Sequence, residues 1–390
     1  MSVERLTGPA GRAALAAAAE LVDDDPLAAA SALRSRGFDP DLAAAALTQA
    51  RLRRQAEPKF GPDAARMLFT RPGLEQATRS VVATRRAERL VAAGVRTLAD
   101  LGCGIGADTI AAARAGIRVR AVEADPVTAA IARANLAALG LDTIATVECG
   151  QAEAADLSGV DAVFCDPARR TTGTGRRIFD PAQFSPPWEF LLELSRRVPR
   201  TVLKLAPGLD HALIPAGAEA QWTSVAGALV EATLWTGPLA GPPRRATVLR
   251  AGAHELTGTG ERRAPAGPVR AFVYDPDPAV VRAHLVAEFA ELVDGRLADP
   301  AIGYVYADQP VPTPYARCLA VTSVLPFSVK RLRAALRAAG VGRVELMKRG
   351  SGVDVERLRR ELRLAGDAAA TVILTRVAGA ATALICQPVP

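Results

Sequence analysis

Cysteine, histidine, lysine and aromatic residues are all scarce in this 390-residue chain, in which aromatics make up 4%. Its five cysteines form no CxxC pair and its three histidines no cluster, so the sequence predicts neither a disulfide framework nor a metal site. No charge-free stretch reaches the roughly 18 residues that a membrane-spanning helix needs. These absences exclude disulfide-rich secreted domains, zinc ribbons and membrane spans, and we expect a reduced, cytoplasmic protein.

Positive charge is present in excess and is carried almost entirely by arginine. Only four of the 48 basic residues are lysine, and the net charge is +7. A guanidinium group binds phosphate through paired hydrogen bonds, which suits a phosphate-rich partner. The same arginine excess is typical of a GC-rich genome, and both interpretations stay open.

The spacing of apolar residues changes along the chain and predicts four regions. Residues 1–80 show only helical spacing, with two Asp-Pro pairs placed as helix starts. Residues 81–255 alternate short buried strands with helices, which predicts βαβ units and a parallel sheet. A linker and connecting segment over 256–315 leads to a second alternation over 316–390. We expect an α/β fold with an N-terminal helical region and a C-terminal α+β domain.

Three details of this pattern concern the borders of the sheet. One helix is predicted over residues 73–93, immediately before the first strand. Two apolar runs, Ala228–Trp235 and Ala246–Leu249, are joined by glycine- and proline-rich residues, which predicts an antiparallel hairpin. Residues 252–268 are rich in glycine, proline and alanine, which predicts a linker.

A glycine-rich turn follows the first predicted strand. The motif D-L-G-C-G-I-G begins at Asp100 and places Gly102, Gly104 and Gly106 between a strand and a helix, where α/β sheets bind ligands. Its spacing differs from G-x-G-x-x-G, whose ligand is a pyrophosphate at a helix N-terminus. The Asp100 carboxylate disfavours a pyrophosphate but suits an ammonium group. The turn therefore predicts a cationic nucleoside without phosphate, and S-adenosylmethionine (SAM) has both properties.

Two further positions complete the predicted cofactor pocket. Glu123 ends the second strand, 17 residues after Gly106, where a carboxylate can accept both ribose hydroxyls. Gln151 follows the third strand, at the height where a polar side chain usually meets the adenine amine. Asp125 starts the next helix and is predicted to cap it. The residues assigned to the cofactor on this pattern are Asp100, Gly102, Gly104, Glu123 and Gln151.

Three motifs in this order, D-L-G-C-G-I-G, A-V-E-A-D-P and C-D-P-A-R, resemble those of the class I SAM-dependent methyltransferases over about residues 80–255. The sequences L-E-Q-A-T at 74–78 and V-A-T-R-R-A at 82–87 are similar to the pre-sheet segment of trimethylguanosine synthase, which implies that Thr78 lies near the cofactor. The C-terminal part, with K-R-G at 348–350, resembles the THUMP-like domain of actinobacterial methyltransferases. The resemblance implies a Rossmann-like sheet, SAM as cofactor and structured RNA, either tRNA or rRNA, as partner.

The same resemblance gives the D-P-A-R motif a role in binding the methyl acceptor. In methyltransferases that act on exocyclic amines, an Asp or Asn and a proline-constrained carbonyl accept both N–H groups of the target. An aromatic residue that stacks on the base follows D/N-P-P in that pattern, whereas this chain has Ala168 and Arg169. A guanidinium plane can also stack on a base. The motif therefore implies catalytic roles for Asp166, Pro167 and Arg169.

Alternatives to these assignments remain open. The acceptor is either RNA or a small molecule or protein whose carboxylate pairs with Arg169, or the chain is a non-catalytic RNA-binding protein that retains SAM. Lys204 either contacts substrate or is a surface lysine. Cys165 is predicted to be a packing residue rather than a nucleophile. The basic loop with Arg170, Arg176 and Arg177 either binds an anionic group of the substrate or is an ordinary solvated loop. The basic residues over 330–363 either bind RNA or lie on the surface of a module that only stabilises the protein.

Overall fold

The computed structural model of the chain describes residues 3–169 and 184–389. The chain divides into two compact units, of which the first comprises Met1–Leu205 with Thr233–Ala240. The second comprises Ala206–Ala232 with Gly241–Pro390. This division assigns 206–232 and 241–255 differently from the four predicted regions, whose boundaries stay a prediction.

Helices form the beginning of the first unit, as the spacing predicts. They are α1 (Val3–Thr7), α2 (Pro9–Glu20), α3 (Pro26–Ser35), α4 (Pro40–Phe60), α5 (Arg71–Gln76) and α6 (Ser80–Ala92). Asp25 caps α3 by accepting hydrogen bonds from two backbone amides, and Asp39 caps α4 in the same way through one. Both helices have proline at the first turn, where its missing N–H costs nothing. The two Asp-Pro pairs therefore start helices as predicted.

The single helix predicted over residues 73–93 is wrong, because the chain breaks between α5 and α6. α5 ends at Gln76, and Ala77 has an extended ψ of 137°. The Lys59 ammonium donates hydrogen bonds to three carbonyls of this turn, at 2.6 to 3.1 Å. A side chain from α4 thus satisfies groups that a continuing helix would use. The break leaves Thr78 in the turn that precedes α6.

A parallel sheet with helices between its strands follows. Its strands are β1 (Thr97–Leu101), β2 (Arg118–Glu123), β3 (Ala145–Cys149), β4 (Ala162–Cys165) and β7 (Thr201–Leu205), and its helices are α7 (Ala107–Arg114), α8 (Pro126–Leu139) and α9 (Trp188–Arg197). The short strands β5 (Ala168–Arg169) and β6 (Phe184–Ser185) pair separately and antiparallel. The strand order is β7-β4-β1-β2-β3, so the chain proceeds from β1 through β2 and β3 to one side of the sheet and from β4 to β7 on the other side. In such sheets ligands bind outside the carboxyl ends of the strands at the point where the two directions diverge.

The second unit contains both sheet and helix. Its strands are β8 (Glu219–Val225), β9 (Ala228–Trp235, whose last three residues belong to the first unit), β10 (Arg244–Leu249), β11 (Ala253–Gly258), β12 (Phe272–Pro276), β13 (Arg296–Leu297), β14 (Val305–Ala307), β15 (Ala316–Pro326), β16 (Val341–Lys348), β17 (Ala368–Val377) and β18 (Ala380–Pro388). Its helices are α10 (Pro278–Arg282), α11 (Val286–Leu292), α12 (Val329–Ala338) and α13 (Val355–Leu362). None of the described helices of the chain has the length and apolar character that a membrane span requires.

Two predictions about the border of the sheet are wrong. β10 pairs in parallel with β8 and antiparallel with β11, so the hairpin of Ala228–Trp235 with Ala246–Leu249 does not form. The first part of the predicted linker over 252–268 is instead β11. Exposed and half-buried residues alternate along β11. Such an edge strand carries little apolar signal, which is why its composition resembles that of a linker.

The C-terminal sheet has the order β13-β14-β12-β15-β18-β17-β16. α12 and α13 contribute the buried leucines Leu332, Leu336, Leu358 and Leu362 to a core shared with β17 and β18. The predicted alternation of strand, helix, strand, helix and two strands is confirmed here. The α/β fold with a helical N-terminal region and a C-terminal α+β domain is confirmed as well.

Candidate functional site

The loop after β1 needs glycine for its backbone conformation. Gly102, Gly104 and Gly106 have φ angles of +79°, +56° and +92°, which L side chains rarely adopt. A Cβ on Gly102 would lie 2.9 Å from the carbonyl oxygen of Asp166. The Gly102 amide donates to the carbonyl of Val122 at 2.9 Å. The loop therefore connects the carboxyl ends of β1, β2 and β4 at close range.

A buried asparagine that sequence reasoning missed supports this loop. Asn135 on α8 is fully buried, and its amide group donates to the carbonyls of Ile105 and Leu68 at 3.0 and 3.1 Å. Its carbonyl oxygen accepts from the Leu68 amide at 2.7 Å. The sequence feature that could have indicated its role is the position of a polar residue on the apolar face of a predicted helix. Asn135 joins the glycine loop to the segment after α4.

Asp100, near the end of β1, has one carboxylate oxygen that no described residue contacts by a hydrogen bond. The side chain is fully buried, and its Oδ2 accepts from the Thr109 hydroxyl at 2.5 Å. Its Oδ1 is buried without a hydrogen bond among the described residues. Burial raises the pKa of Asp100 to about 7, and the neighbouring Asp108 carboxylate adds to the rise. Buried acceptors are nearly always satisfied, so Oδ1 is suited to a donor that a ligand supplies.

Thr78 contacts a second acid, Asp108, whose carboxylate lies close enough to Asp100 to raise its pKa. Its hydroxyl donates to Asp108 Oδ2 at 2.6 Å, and Asp108 is also paired with Arg86 on α6. The Arg86 guanidinium carbon lies 4.6 Å from the centre of the Phe164 ring. Arg86 and Asp108 were missed, and the only signal was an arginine among the buried positions of α6. The three polar side chains form a network at the start of α7, in which Thr78 and Arg86 are buried and Asp108 is partly exposed.

Glu123, at the end of β2, is oriented by two backbone amides. Gly104 donates to its Oε2 at 2.9 Å, and Asp125 donates to its Oε1 at 3.0 Å. Asp125 caps α8, as predicted. The Gly150 amide donates to the Glu123 carbonyl at 3.0 Å, which brings the exposed Gln151 next to β2. The structure thus places Glu123 beside the glycine loop and Gln151 beside Glu123.

Asp166 follows β4 and forms an ion pair with Lys204, which lies in β7. The Lys204 ammonium is 2.5 Å from Asp166 Oδ2, so the lysine is an ion-pair partner rather than a surface residue. Burial raises the pKa of Asp166, and the positive charge of Lys204 opposes that rise. Pro167 is buried directly after it. Arg169 ends β5, but its side chain, and Arg170, Arg176 and Arg177, lie outside the described residues.

Neither buried cysteine of the site is poised as a nucleophile. Cys103 and Cys165 are both buried, and burial raises the pKa of each thiol well above its usual range. A thiolate, which is the reactive form, is therefore disfavoured at both positions. Within residues 3–169 and 184–389, no group of three or more His, Cys, Asp or Glu is arranged to hold a metal ion. Among the described residues, the carboxylates at the strand ends are the candidate groups for binding and orienting a ligand.

Comparison with known proteins identifies the family. The chain is 36% identical over 356 residues to proteins of two Mycobacterium tuberculosis strains, each named an uncharacterized S-adenosylmethionine-dependent methyltransferase, and the match covers 86% of this chain and 95% of theirs. A crystal structure named as a methyltransferase from Porphyromonas gingivalis W83 shares the fold with a TM-score of 0.78, at 19% identity and full coverage of both chains.

Two segments also match families of domains. Residues 316–388 match the family described as THUMP domain-like, and residues 1–56 match a domain of unknown function, DUF8688. The first match confirms the THUMP-like resemblance at the C-terminus. Given the identity shared over most of its length with the mycobacterial proteins, the chain belongs to the SAM-dependent methyltransferases and carries a THUMP-like domain at its C-terminal end.

Proposed function

We propose that Asp100, Gly102, Gly104, Glu123 and Gln151 bind SAM, with Thr78 beside them. The residues fit this cofactor, because Asp100 Oδ1 is a buried acceptor without a partner among the described residues and no phosphate-binding cation lies in the glycine loop. When bound, SAM supplies an electrophilic methyl group on a positively charged sulfur. Asp100 would hold the ammonium group, and Glu123 would accept hydrogen bonds from the ribose hydroxyls.

The raised pKa of Asp100 makes SAM affinity pH-dependent. With a pKa of about 7, Asp100 is largely protonated below that pH in the free enzyme and then attracts the cation less. We expect the affinity to fall as the pH is lowered from 8 to 6, by up to about tenfold per pH unit once Asp100 is protonated. Calorimetric titration with SAM across this range measures the effect. The Asp100→Asn variant should bind weakly with a much flatter profile, and an equally steep profile there would contradict the assignment.

We further propose that the methyl acceptor is a nitrogen on RNA, either tRNA or rRNA. The observation that carries this proposal is Asp166, whose backbone carbonyl lies next to Gly102 at the strand ends and whose carboxylate pairs with Lys204 through Oδ2. Asp166 Oδ1 makes no hydrogen bond within the described residues and can accept an N–H of the acceptor. The THUMP-like domain and the net charge of +7 support RNA as the molecule that carries this nitrogen.

Positioning is sufficient for the reaction that we propose. Asp166 and the backbone at Pro167 would accept the N–H groups of the target and direct its nitrogen lone pair toward the methyl group. The thioether would be a good leaving group and the methylated nitrogen would release its extra proton to solvent, so orientation supplies most of the acceleration and little acid-base chemistry is needed. Arg169 follows within the same motif and is proposed to stack on the base or to contact an anionic group.

Partition of a labelled methyl group tests the acceptor class. We would incubate the full-length enzyme and tritiated SAM with total RNA, a protein extract and a metabolite extract in separate reactions. The proposal expects label in RNA, and loss of that label with Asp166→Ala. Label confined to protein or metabolites would support the alternative acceptors. The absence of label from every fraction, with SAM still bound, would favour a non-catalytic RNA-binding role.

Lys204 is proposed as a positioning residue for Asp166. Because its charge lowers the pKa of Asp166, Lys204→Met should raise that pKa and move the acidic limb of the kcat–pH profile to higher pH. At neutral pH we expect kcat to fall about tenfold. Lys204→Arg keeps the cation and should restore most of the activity and the profile. A lower kcat with an unshifted acidic limb in Lys204→Met would show that the lysine has only a structural role.

A further inference from the structure

Three aromatic rings are stacked in the second unit, and none of them belongs to the residues assigned above to SAM or to the methyl acceptor. Trp222 on β8 is fully buried, and the His211 ring lies 4.8 Å from it at an interplanar angle of 14°. The His284 ring lies 3.8 Å from His211 at 11°. His284 is exposed, so the stack ends in a ring that solvent reaches.

The stack is anchored by hydrogen bonds to the backbone. The indole N–H of Trp222 donates to the carbonyl of Pro207 at 3.1 Å. The Nε2 of His211 lies 3.0 Å from the carbonyl of Arg282. His284 follows α10 with a φ of 59°, in the left-handed region where glycine or asparagine is the usual choice. The two inner rings are therefore held by hydrogen bonds, and the His284 ring packs on the outer one, His211.

Two arginines lie next to the rings. Arg244 on β10 and Arg282 on α10 are half-buried, and their positive charges help to lower the pKa of both histidines. Backbone carbonyls hold them, since Arg244 donates to Pro243 at 2.9 Å and Arg282 to Pro207 at 3.2 Å. In the part of the chain that the structure describes, neither arginine forms a salt bridge. Both guanidinium groups thus retain donors for an anion.

We infer that His284, Arg244 and Arg282 form a nucleotide-binding site for an RNA strand. The base would stack on the exposed ring of His284, and the two guanidinium groups would contact the backbone phosphates. Burial lowers the pKa of His211 to about 4 and also lowers that of His284, so both rings are neutral aromatic planes at neutral pH. The inference rests on the proposed RNA substrate and adds a binding site outside the methyl-transfer site.

RNA suits this site better than an acidic peptide does. A peptide carboxylate would engage the arginines but would leave the ring stack without a role. A nucleotide uses both features, because every base has a flat π-face and every linkage carries one negative charge. Stacking of a single base is typically worth a several-fold to 100-fold difference in affinity, or about 1–3 kcal/mol.

Binding of a fluorescein-labelled single-stranded oligoadenylate to the full-length enzyme, followed by anisotropy, tests the site. We expect His284→Ala to weaken binding by about tenfold and His284→Phe to retain most of it, since phenylalanine preserves the flat ring. Arg244→Gln and Arg282→Gln should each reduce the slope of log affinity against log salt by about 0.7. Arg263→Gln, an exposed arginine of the same unit, is the control and should leave binding almost unchanged.

Several results would overturn the inference. These are an unaltered enzyme that does not bind the oligonucleotide at low salt, equal losses for His284→Ala and His284→Phe, and polyglutamate competing as well as RNA while His284→Ala has no effect. Tritium transfer to RNA, measured separately, tests the proposed function on its own. RNA that is methylated while His284→Ala binds it normally would remove the site and leave the proposed function. Binding that depends on His284 without methylation would do the reverse.

Discussion

Replacing Glu123 with alanine is expected to weaken SAM binding by about 100-fold. A carboxylate that accepts two ribose hydroxyls makes two charge-assisted hydrogen bonds of about 1.5 kcal/mol each, and their sum corresponds to roughly two powers of ten in affinity. The Glu123 carboxylate also holds the amides of Gly104 and Asp125, so its loss should loosen the glycine loop as well. Calorimetric titration of the purified enzyme with SAM measures the change.

Glu148→Ala is the matched control for this variant. Glu148 is an exposed glutamate on β3, the neighbour of β2, and we expect its removal to leave SAM affinity unchanged. Glu123→Gln should fall between the two, because the amide keeps one acceptor oxygen. A melting temperature close to that of the unaltered enzyme would show that each variant is folded. Wild-type affinity in folded Glu123→Ala would contradict the assignment of the ribose site.

Replacing Asp166 with alanine is expected to lower kcat by about 100- to 1,000-fold while leaving SAM affinity nearly unchanged. Removal of a single group that orients the reacting atoms typically has an effect of this size. The loss should appear in kcat because Asp166 is proposed to hold the acceptor nitrogen in its reactive orientation. Single-turnover methyl transfer to RNA, together with SAM titration of the same preparation, separates the two effects.

Two other substitutions calibrate this result. Asp166→Asn keeps an oxygen that can accept an N–H, so it should retain more activity than the alanine variant. Asp142→Ala removes an exposed carboxylate between α8 and β3 and should be as active as the unaltered enzyme. If Asp166→Ala transferred methyl groups at the normal rate, Asp166 would have no role in orienting the acceptor.

The strand ends of the first unit were largely predictable because short buried runs followed by glycine or acid have a distinctive pattern. Asp100 is the second-last residue of β1, Glu123 is the last residue of β2 and Asp166 directly follows β4, and the parallel sheet brings these ends to one edge. The order of the motifs therefore predicted which residues lie at this edge of the sheet. This pattern of buried runs does not predict which side chains contact the three acids.

The supporting contacts could not be predicted because they join residues far apart in sequence. Thr78 meets Asp108 across 30 positions, and Lys204 meets Asp166 across 38. Periodicity assigns a residue to a helix or strand but does not give its partner. An arginine on α6 or a lysine on β7 therefore has the same signature as a surface residue until the fold is known.

The incorrect hairpin has a similar cause. β8 has the sequence E-A-Q-W-T-S-V, whose polar residues lack the apolar pattern expected of a buried strand, although most of them are buried. Glu219 is fully buried there because Arg245 donates to its Oε1 at 2.7 Å and the Gly241 amide donates to its Oε2 at 2.6 Å. Buried charges need such partners, but a single sequence does not show which residues supply them. Without β8, pairing β10 with β9 was the simplest alternative.

The most direct test of the proposed reaction is identification of the methylated nucleoside. RNA that has been incubated with the enzyme and SAM would be digested to nucleosides and analysed by mass spectrometry against synthetic standards. The proposal predicts a nucleoside with a new methyl group on a base nitrogen, absent after incubation with Asp166→Ala. A 2′-O-methylated ribose or a carbon-methylated base as the sole product would contradict it.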